Sequence, residues 1–480
     1  MNMHKVCCKA VIAAASLCFG FAAEAQEGSD IGTNASPLTQ PPTQDLPLPN
    51  EGLSRGYFFN LRPLGEDIGR KLADQGIYLT GRTFNEGFAN VSGGIKRGAL
   101  YEGFTAFGVD LDMNRIAGIN GGSLHLLFND LNGQSFQPYS GSAFANNKVF
   151  SLSAAARLNE LSYEQLLFDD QLDIRVGRVP VGTEFDTSEL YCEFVTGLCA
   201  VPSGYAFTKG SPSYLTASTA GVAQLKLPYS LYFNAGVYED EPLLATQHHN
   251  DWPGEDWAFD KARGATIPVQ FGYRTTFATD PYPRAFDIGG FYDTGDYSDP
   301  VLNTTGENRV RFGGMAKVDH GKSGVWLQAQ QLVFRPDRTS ERGVTLFAAA
   351  NFTTSGQTNI SDAFFVGASI RGPFESRPND TLNFVVQNIG LSNAFSANLD
   401  ANLALRGIHQ TLSRTETYVE VNYGLALTPG ITFKPFFTYI LDPDQFGVAK
   451  PTPTNTHAVF VGAAISAFFP ESLGLPRLGK

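Results

Sequence analysis

Past its first 25 residues the chain keeps only two cysteines, Cys192 and Cys199, and it has no apolar run of about 18 residues. The missing run excludes an inner-membrane helical protein, because a spanning helix needs one. Charge is scarce as well: Asp, Glu, Lys and Arg make up 17% of 480 residues. The balance is acidic, 47 Asp+Glu against 35 Lys+Arg, with no basic cluster, which argues against a nucleic-acid partner. Seven histidines are present, with no Ser–His signature among them. His248-His249 and the pair Asp110 and Asp112 lack further ligands nearby. Neither an enzyme, a cofactor nor a metal site is expected. What is plentiful is Gly (50), Phe (38) and Tyr (18), at a mean hydropathy of -0.12. Few charges without net hydrophobicity mean that amides and hydroxyls supply the polarity, which suits a wall with one greasy and one wet face.

The N-terminus reads as an export signal over residues 1–25. Lys5 and Lys9 precede the apolar stretch Ala10 to Ala23, and Ala23-Glu24-Ala25 is a small-x-small cleavage site. In an exported chain Cys192 and Cys199 suit a loop disulfide, with free thiols as the alternative. Residues 26–62, rich in Pro and Gln, read as a flexible periplasmic leader. Residues 63–75 read as a short helix: Pro63 suits its first position, Leu64, Ile68 and Leu72 repeat, and Gly76 ends it.

From residue 76 to 469 the period is two. Leu161, Tyr163 and Leu167 oppose Glu160, Ser162 and Glu164; Leu172, Ile174 and Val176 oppose Asp173 and Arg175; Leu231, Phe233, Ala235 and Val237 oppose Tyr232, Asn234 and Tyr238. Successive side chains of a strand point to opposite faces, so each segment carries one apolar and one polar wall. Segments of nine or more residues, whole carboxylates and guanidiniums on the polar face, and aromatics near segment ends favour a membrane barrel over a soluble sandwich. Short links such as 169–171, 228–230 and 429–430 alternate with long ones near 133–156, 182–217, 239–266, 295–322 and 393–415. The pattern predicts an all-β, transmembrane, antiparallel up-and-down β-barrel in a bacterial outer membrane, contacting its lipid. About 17 segments qualify as strands; barrels of this kind have even numbers, and the weakest, 309–318, is better placed in a loop, leaving about 16. The 63–75 helix then belongs either at the periplasmic mouth or on the surface, and 470–480 is a periplasmic tail.

Several stretches, in order, carry a family resemblance: Arg157-Leu158-Asn159-Glu160-Leu161-Ser162-Tyr163-Glu164-Gln165, Asp173-Ile174-Arg175-Val176-Gly177-Arg178, Glu184-Phe185-Asp186-Thr187-Ser188-Glu189, Gly289–Asp296, Phe374–Asp380 and Tyr439-Ile440-Leu441-Asp442-Pro443. The chain resembles the carbohydrate-selective outer-membrane porins of the OprB type. The resemblance implies a channel through which small sugars diffuse passively into the periplasm, narrowed by the loop after the Arg175 strand. The alternative is a general porin for small hydrophilic solutes. Whether copies associate into a homo-oligomer stays open.

Face assignment nominates lumen residues. Arg82 and Glu86 share one strand face, Asp110 and Asp112 the next, and Glu160 and Glu164 lie on the strand that pairs with Asp173 and Arg175. These are either selectivity elements or a ladder of wall charges, and the two roles are compatible. The loop 182–217, with Glu184, Asp186 and Glu189, either folds inward as the constriction or caps the outside. Trp252 and Trp257 either catch sugars at the entrance or pack between loops.

Overall fold

The computed structural model describes residues 56–59, 63–143, 155–180, 184–195, 217–240 and 262–479. The signal, the leader up to residue 55, Trp252, Trp257 and Cys199 lie outside them.

Sixteen strands form the wall: β1 (Ile77–Gly93), β2 (Gly98–Asp112), β3 (Gly122–Gly133), β4 (Ala155–Leu167), β5 (Leu172–Pro180), β6 (Ala217–Leu227), β7 (Leu231–Asp240), β8 (Gly264–Arg274), β9 (Arg284–Asn303), β10 (Ala316–Phe334), β11 (Gly343–Ser355), β12 (Ile360–Arg371), β13 (Thr381–Leu391), β14 (Thr415–Thr428), β15 (Ile431–Leu441) and β16 (His457–Phe468). Each pairs antiparallel with its sequence neighbours, and β1 also pairs with β16, from Arg82↔Phe468 to Gly93↔Ala458, so the sheet closes. Closure leaves no strand edge, the condition for placing a sheet in lipid. Among the described residues no helix is long and apolar enough to cross a membrane.

The two-residue rhythm sorts the wall as expected. Phe107, Val176, Phe233, Val237, Ile288 and Val421 are exposed on the outside, while their strand neighbours Ala106, Arg175, Tyr232, Asn234, Asp287 and Glu420 are buried inside. Tight periplasmic turns take left-handed backbone at Asp169, Asp170, Tyr229 and Ser230. At the 429–430 turn Gly430 has φ +76, and a Cβ there would sit 2.7 Å from both the Glu471 Cβ and the Ser472 nitrogen, so only glycine fits.

Three details differ from the sequence pattern. β9 and β10 run 20 and 19 residues, so the link expected over 295–322 shrinks to 304–315. These strands reach roughly 65 Å at 3.3 Å per residue, far beyond an apolar band about 25 Å tall. Within 309–318, Arg309–Phe312 is a helical turn capped by the Asn308 side chain, whereas Ala316 onward belongs to β10. Finally, external links are not uniformly long, since 94–97 and 356–359 are short.

The helices are short except one. α1 (Glu66–Ala73) is briefer than the 63–75 expectation. Before it, the Gly65 N–H donates to the Leu473 carbonyl at 2.8 Å, a tertiary bond that holds the preceding residues outside the helix. Its expected apolar repeat is not what packs: Leu64 and Ile68 are exposed, and Gly69 instead approaches Leu475 and Pro476 of the C-terminal segment. α2 (Met113–Ala117) makes the β2–β3 turn, α3 (Gln137–Ser140) and α4 (Arg309–Phe312) lie in external loops, α5 (Asn393–Leu405) fills the β13–β14 loop, and α6 (Phe469–Leu473) follows β16.

Candidate functional site

The inner wall is built where polar residues of neighbouring strands come into register. β4 and β5 pair Glu164 with Arg175, β3 and β4 pair Ser123 with Glu164, and β2 and β3 pair Asp110 with His125. The result is a charged chain. His125 Nδ1 lies 2.8 Å from Asp110 Oδ1, and its Nε2 lies 3.1 Å from Glu164 Oε2. Arg175 donates from Nη2 to Glu164 at 3.3 Å and from Nη1 to Glu184 at 3.2 Å and Glu160 at 3.5 Å. Arg175 is 2% exposed. A guanidinium so enclosed is held by its carboxylates and in turn holds them.

Glu184 comes from the β5–β6 loop, so this bond ties that loop to the wall. The tie is the first of a series. The Asp186 N–H donates to Gln270 Oε1 on β8 at 3.0 Å. Gln328 on β10 accepts from the Tyr191 hydroxyl at 2.8 Å and donates to the Thr187 carbonyl at 3.1 Å. The Ser188 hydroxyl donates to Gln330 at 2.5 Å. Farther on, the Val195 N–H donates to Glu420 of β14 at 2.9 Å. Lys434 Nζ of β15 donates to the Glu193 carbonyl at 2.6 Å and its carboxylate at 2.8 Å. Residues 184–195 therefore run inside the barrel, from β5 past β8 and β10 to β14 and β15.

Apolar contacts secure both ends of this segment. Phe185 packs with Val179, Val222, Tyr238, Phe291 and Trp326, and it lies close over Gly236, where a Cβ would come 3.2 Å from its ring. Tyr191, Phe194 and Val195 join Phe88, Phe347, Phe365, Tyr418 and Phe460. Phe136, from the β3–β4 loop, enters the same cluster with its ring centroid 5.0 Å from that of Phe88. One side of the lumen is thus filled by aromatic rings on two inward loops.

Of the sequence-nominated residues, Glu160, Glu164, Arg175 and Glu184 meet directly. Asp173 lies on the same face, opposite Gln224, and is buried. Glu86 and Glu102 oppose each other across β1–β2, both buried. Arg82 stands over the rings of Phe84 and Phe104, 5.6 and 5.8 Å from their centroids. Asp112 differs from the rest: its carboxylate accepts from the Asn114 and Arg115 amides as the cap of α2, so it serves the periplasmic turn rather than a throat. Cys192 is disulfide-bonded. Glu189 reaches solvent, with protein packed densely around its carboxylate. Burial pushes its carboxyl up to about 7, Glu193 adds to the rise, and Arg274 opposes it.

Nothing local in the sequence singles out Gln270, Gln328, Gln330, Glu420 and Lys434. All sit at polar positions of alternating strands, but nothing in the local pattern marks which polar positions meet a loop. Among the described residues no group of three or more His, Cys, Asp or Glu could hold a metal.

A closed, wet-walled barrel with a loop strung through its interior defines an outer-membrane diffusion channel. The family described as "Carbohydrate-selective porin, OprB family" matches residues 96–466, and the chain belongs to it: it is a bacterial outer-membrane channel for sugar diffusion. Porin B of Pseudomonas aeruginosa is 26% identical over 414 residues, 82% of this chain and 84% of that one. The putative porin QuiX of Acinetobacter baylyi is 22% identical over 397 residues, 78% and 86% of the two chains. The high-pH structure of OprB from Pseudomonas putida shares the fold, with TM-score 0.75 and 22% identity, covering 87% of this chain and all of that one.

Proposed function

We propose that residues 184–195 form the throat of this channel, and that mono- and short oligosaccharides pass it passively, with no chemical step. The observation that carries the reading is the unbroken series of bonds from Arg175–Glu184 to Lys434–Glu193. A segment fixed at both ends across a lumen narrows it at constant width, whatever solute is present. Acidic and amide groups along the throat offer acceptors and donors to sugar hydroxyls, while the buried rings of Tyr191 and Phe194 hold the segment in place. Contacts of this kind are individually weak, as flux requires.

In this reading Asp110, Glu160, Glu164, Asp173, Arg175, Glu184 and Asp186 act mainly as scaffold, and Glu189 is the carboxylate that meets solutes. Arg82 and Glu86 line the wall. The barrel stands in outer-membrane lipid as a single chain or a homo-oligomer. Liposome swelling tests the proposal. Monosaccharides should enter fastest and trisaccharides slowest, and Arg175→Gln should flatten that size dependence. Equal rates for all sizes in the unmodified protein would return the throat to the status of an ordinary wide pore.

A further inference from the structure

On the extracellular side, away from the throat, a cavity of about 330 Å³ opens between the β9–β10 loop, the 356–359 turn, α5 and Phe446. That volume falls at the lower end of small-molecule sites, roughly 300–1,000 Å³, and suits a single sugar ring. We propose that this cavity is a binding site for an acidic monosaccharide, a sugar ring bearing a carboxylate. The inference rests on reading the barrel as a sugar channel and adds a ligand class and a location to it.

Arg309 carries the argument. It lines the cavity, and its Nη1 makes a single long bond, 3.5 Å, to the Asp299 carbonyl. Its Nε is buried and has no hydrogen-bond acceptor. The Nη1–Nη2 end of a guanidinium can take a carboxylate end-on with two bonds, so the enclosed Nε need not be reached. A second cation lies close by: Lys322 also lines the cavity, its Nζ 4.4 Å from the Tyr297 ring centroid. The carboxylate of Asp299 borders the site too, but Oδ1 is engaged by the Val301 and Leu302 amides at 2.7 and 2.8 Å.

The remaining lining fits the body of a sugar. Phe395 and Phe446 form a tilted pair with centroids 5.5 Å apart, giving apolar surface for a ring face. Gln357, exposed at the rim, supplies an amide for hydroxyls. A neutral sugar could use the rings and amides but would leave the Arg309 edge unmatched, so the site should discriminate by charge.

The test is saturation-transfer NMR on the full protein in detergent micelles, with galacturonate and galactose as probes. Galacturonate should bind saturably. Arg309→Gln should weaken it about tenfold, Arg309→Lys less, and neither should alter galactose. Raising salt from about 50 mM to about 500 mM on unmodified protein should weaken galacturonate alone, a check that needs no variant to fold. Absent galacturonate binding, or binding indifferent to both Arg309→Gln and salt, would overturn the site. Liposome swelling separates this from the channel reading: sugars excluded from liposomes while galacturonate still binds would fault the channel and leave the site standing.

Discussion

Arg175 shows how a single side chain can organise a pore without lining it. Its guanidinium bonds Glu160, Glu164 and Glu184, so removing it leaves three carboxylates with a lost counter-charge. Deleting one partner of a buried ion pair costs about 3–5 kcal/mol. Arg175→Gln is therefore expected to lower the thermal transition in detergent and to raise single-channel conductance and cation preference, as Glu184 lets go of the wall. Conductance and reversal potential unchanged from the unmodified protein would remove the anchor role. Glu189 supplies a pH-dependent counterpart. With its carboxyl pushed up to about 7, it is mostly neutral at pH 6 and mostly anionic at pH 8. Cation-over-anion permeability should rise across that interval, and Glu189→Gln should flatten the rise.

The cluster around Arg175 was legible in the sequence because parity and strand pairing together put Glu160, Glu164, Asp173 and Arg175 on one face. The inward aromatics were not. Phe88 shares the parity of Arg82 and Glu86, yet a phenylalanine in an alternating strand reads as lipid-facing until Phe136 and Phe194 arrive from distant loops to cover it. The destination of a loop is set by contacts more than a hundred residues away, such as Glu193 with Lys434, and local periodicity carries no information about them. Asp112 has the parity of Asp110, but it stands at the strand end, where its carboxylate caps α2.

At the scale of elements, the segment 184–195 behaves as a cross-beam with two footings. The Phe185 footing and the Tyr191–Phe194 footing are independent clusters, so each can be loosened alone. Phe194→Ala removes a fully buried ring, a loss of about 3–5 kcal/mol by comparison with core truncations. It should free the far end only, giving noisier and larger open-channel current while the barrel still resists heat in detergent gels. Gly430→Ala acts on the frame instead. With φ +76 and backbone within 3 Å of a new Cβ, the turn joining β14 to β15 must shift, and the expected result is a lower folded yield with conductance of the folded fraction unchanged.

For the whole molecule, the sixteen-strand closure sets both the lumen and its route of formation. Every pairing but one joins strands adjacent in sequence; the exception is β1 with β16, where Arg82 faces Phe468. Local hairpins can zip in any order, but that last seam waits for nearly the entire polypeptide and carries the largest loop-closure cost. An intermediate lacking it presents two unzipped margins to hydrocarbon, where unmet amides are expelled. Insertion should consequently look like an all-or-nothing event: a chain shortened before β16 would be degraded or aggregate rather than conduct poorly, and crosslinking the first and last strands would capture the final step of assembly.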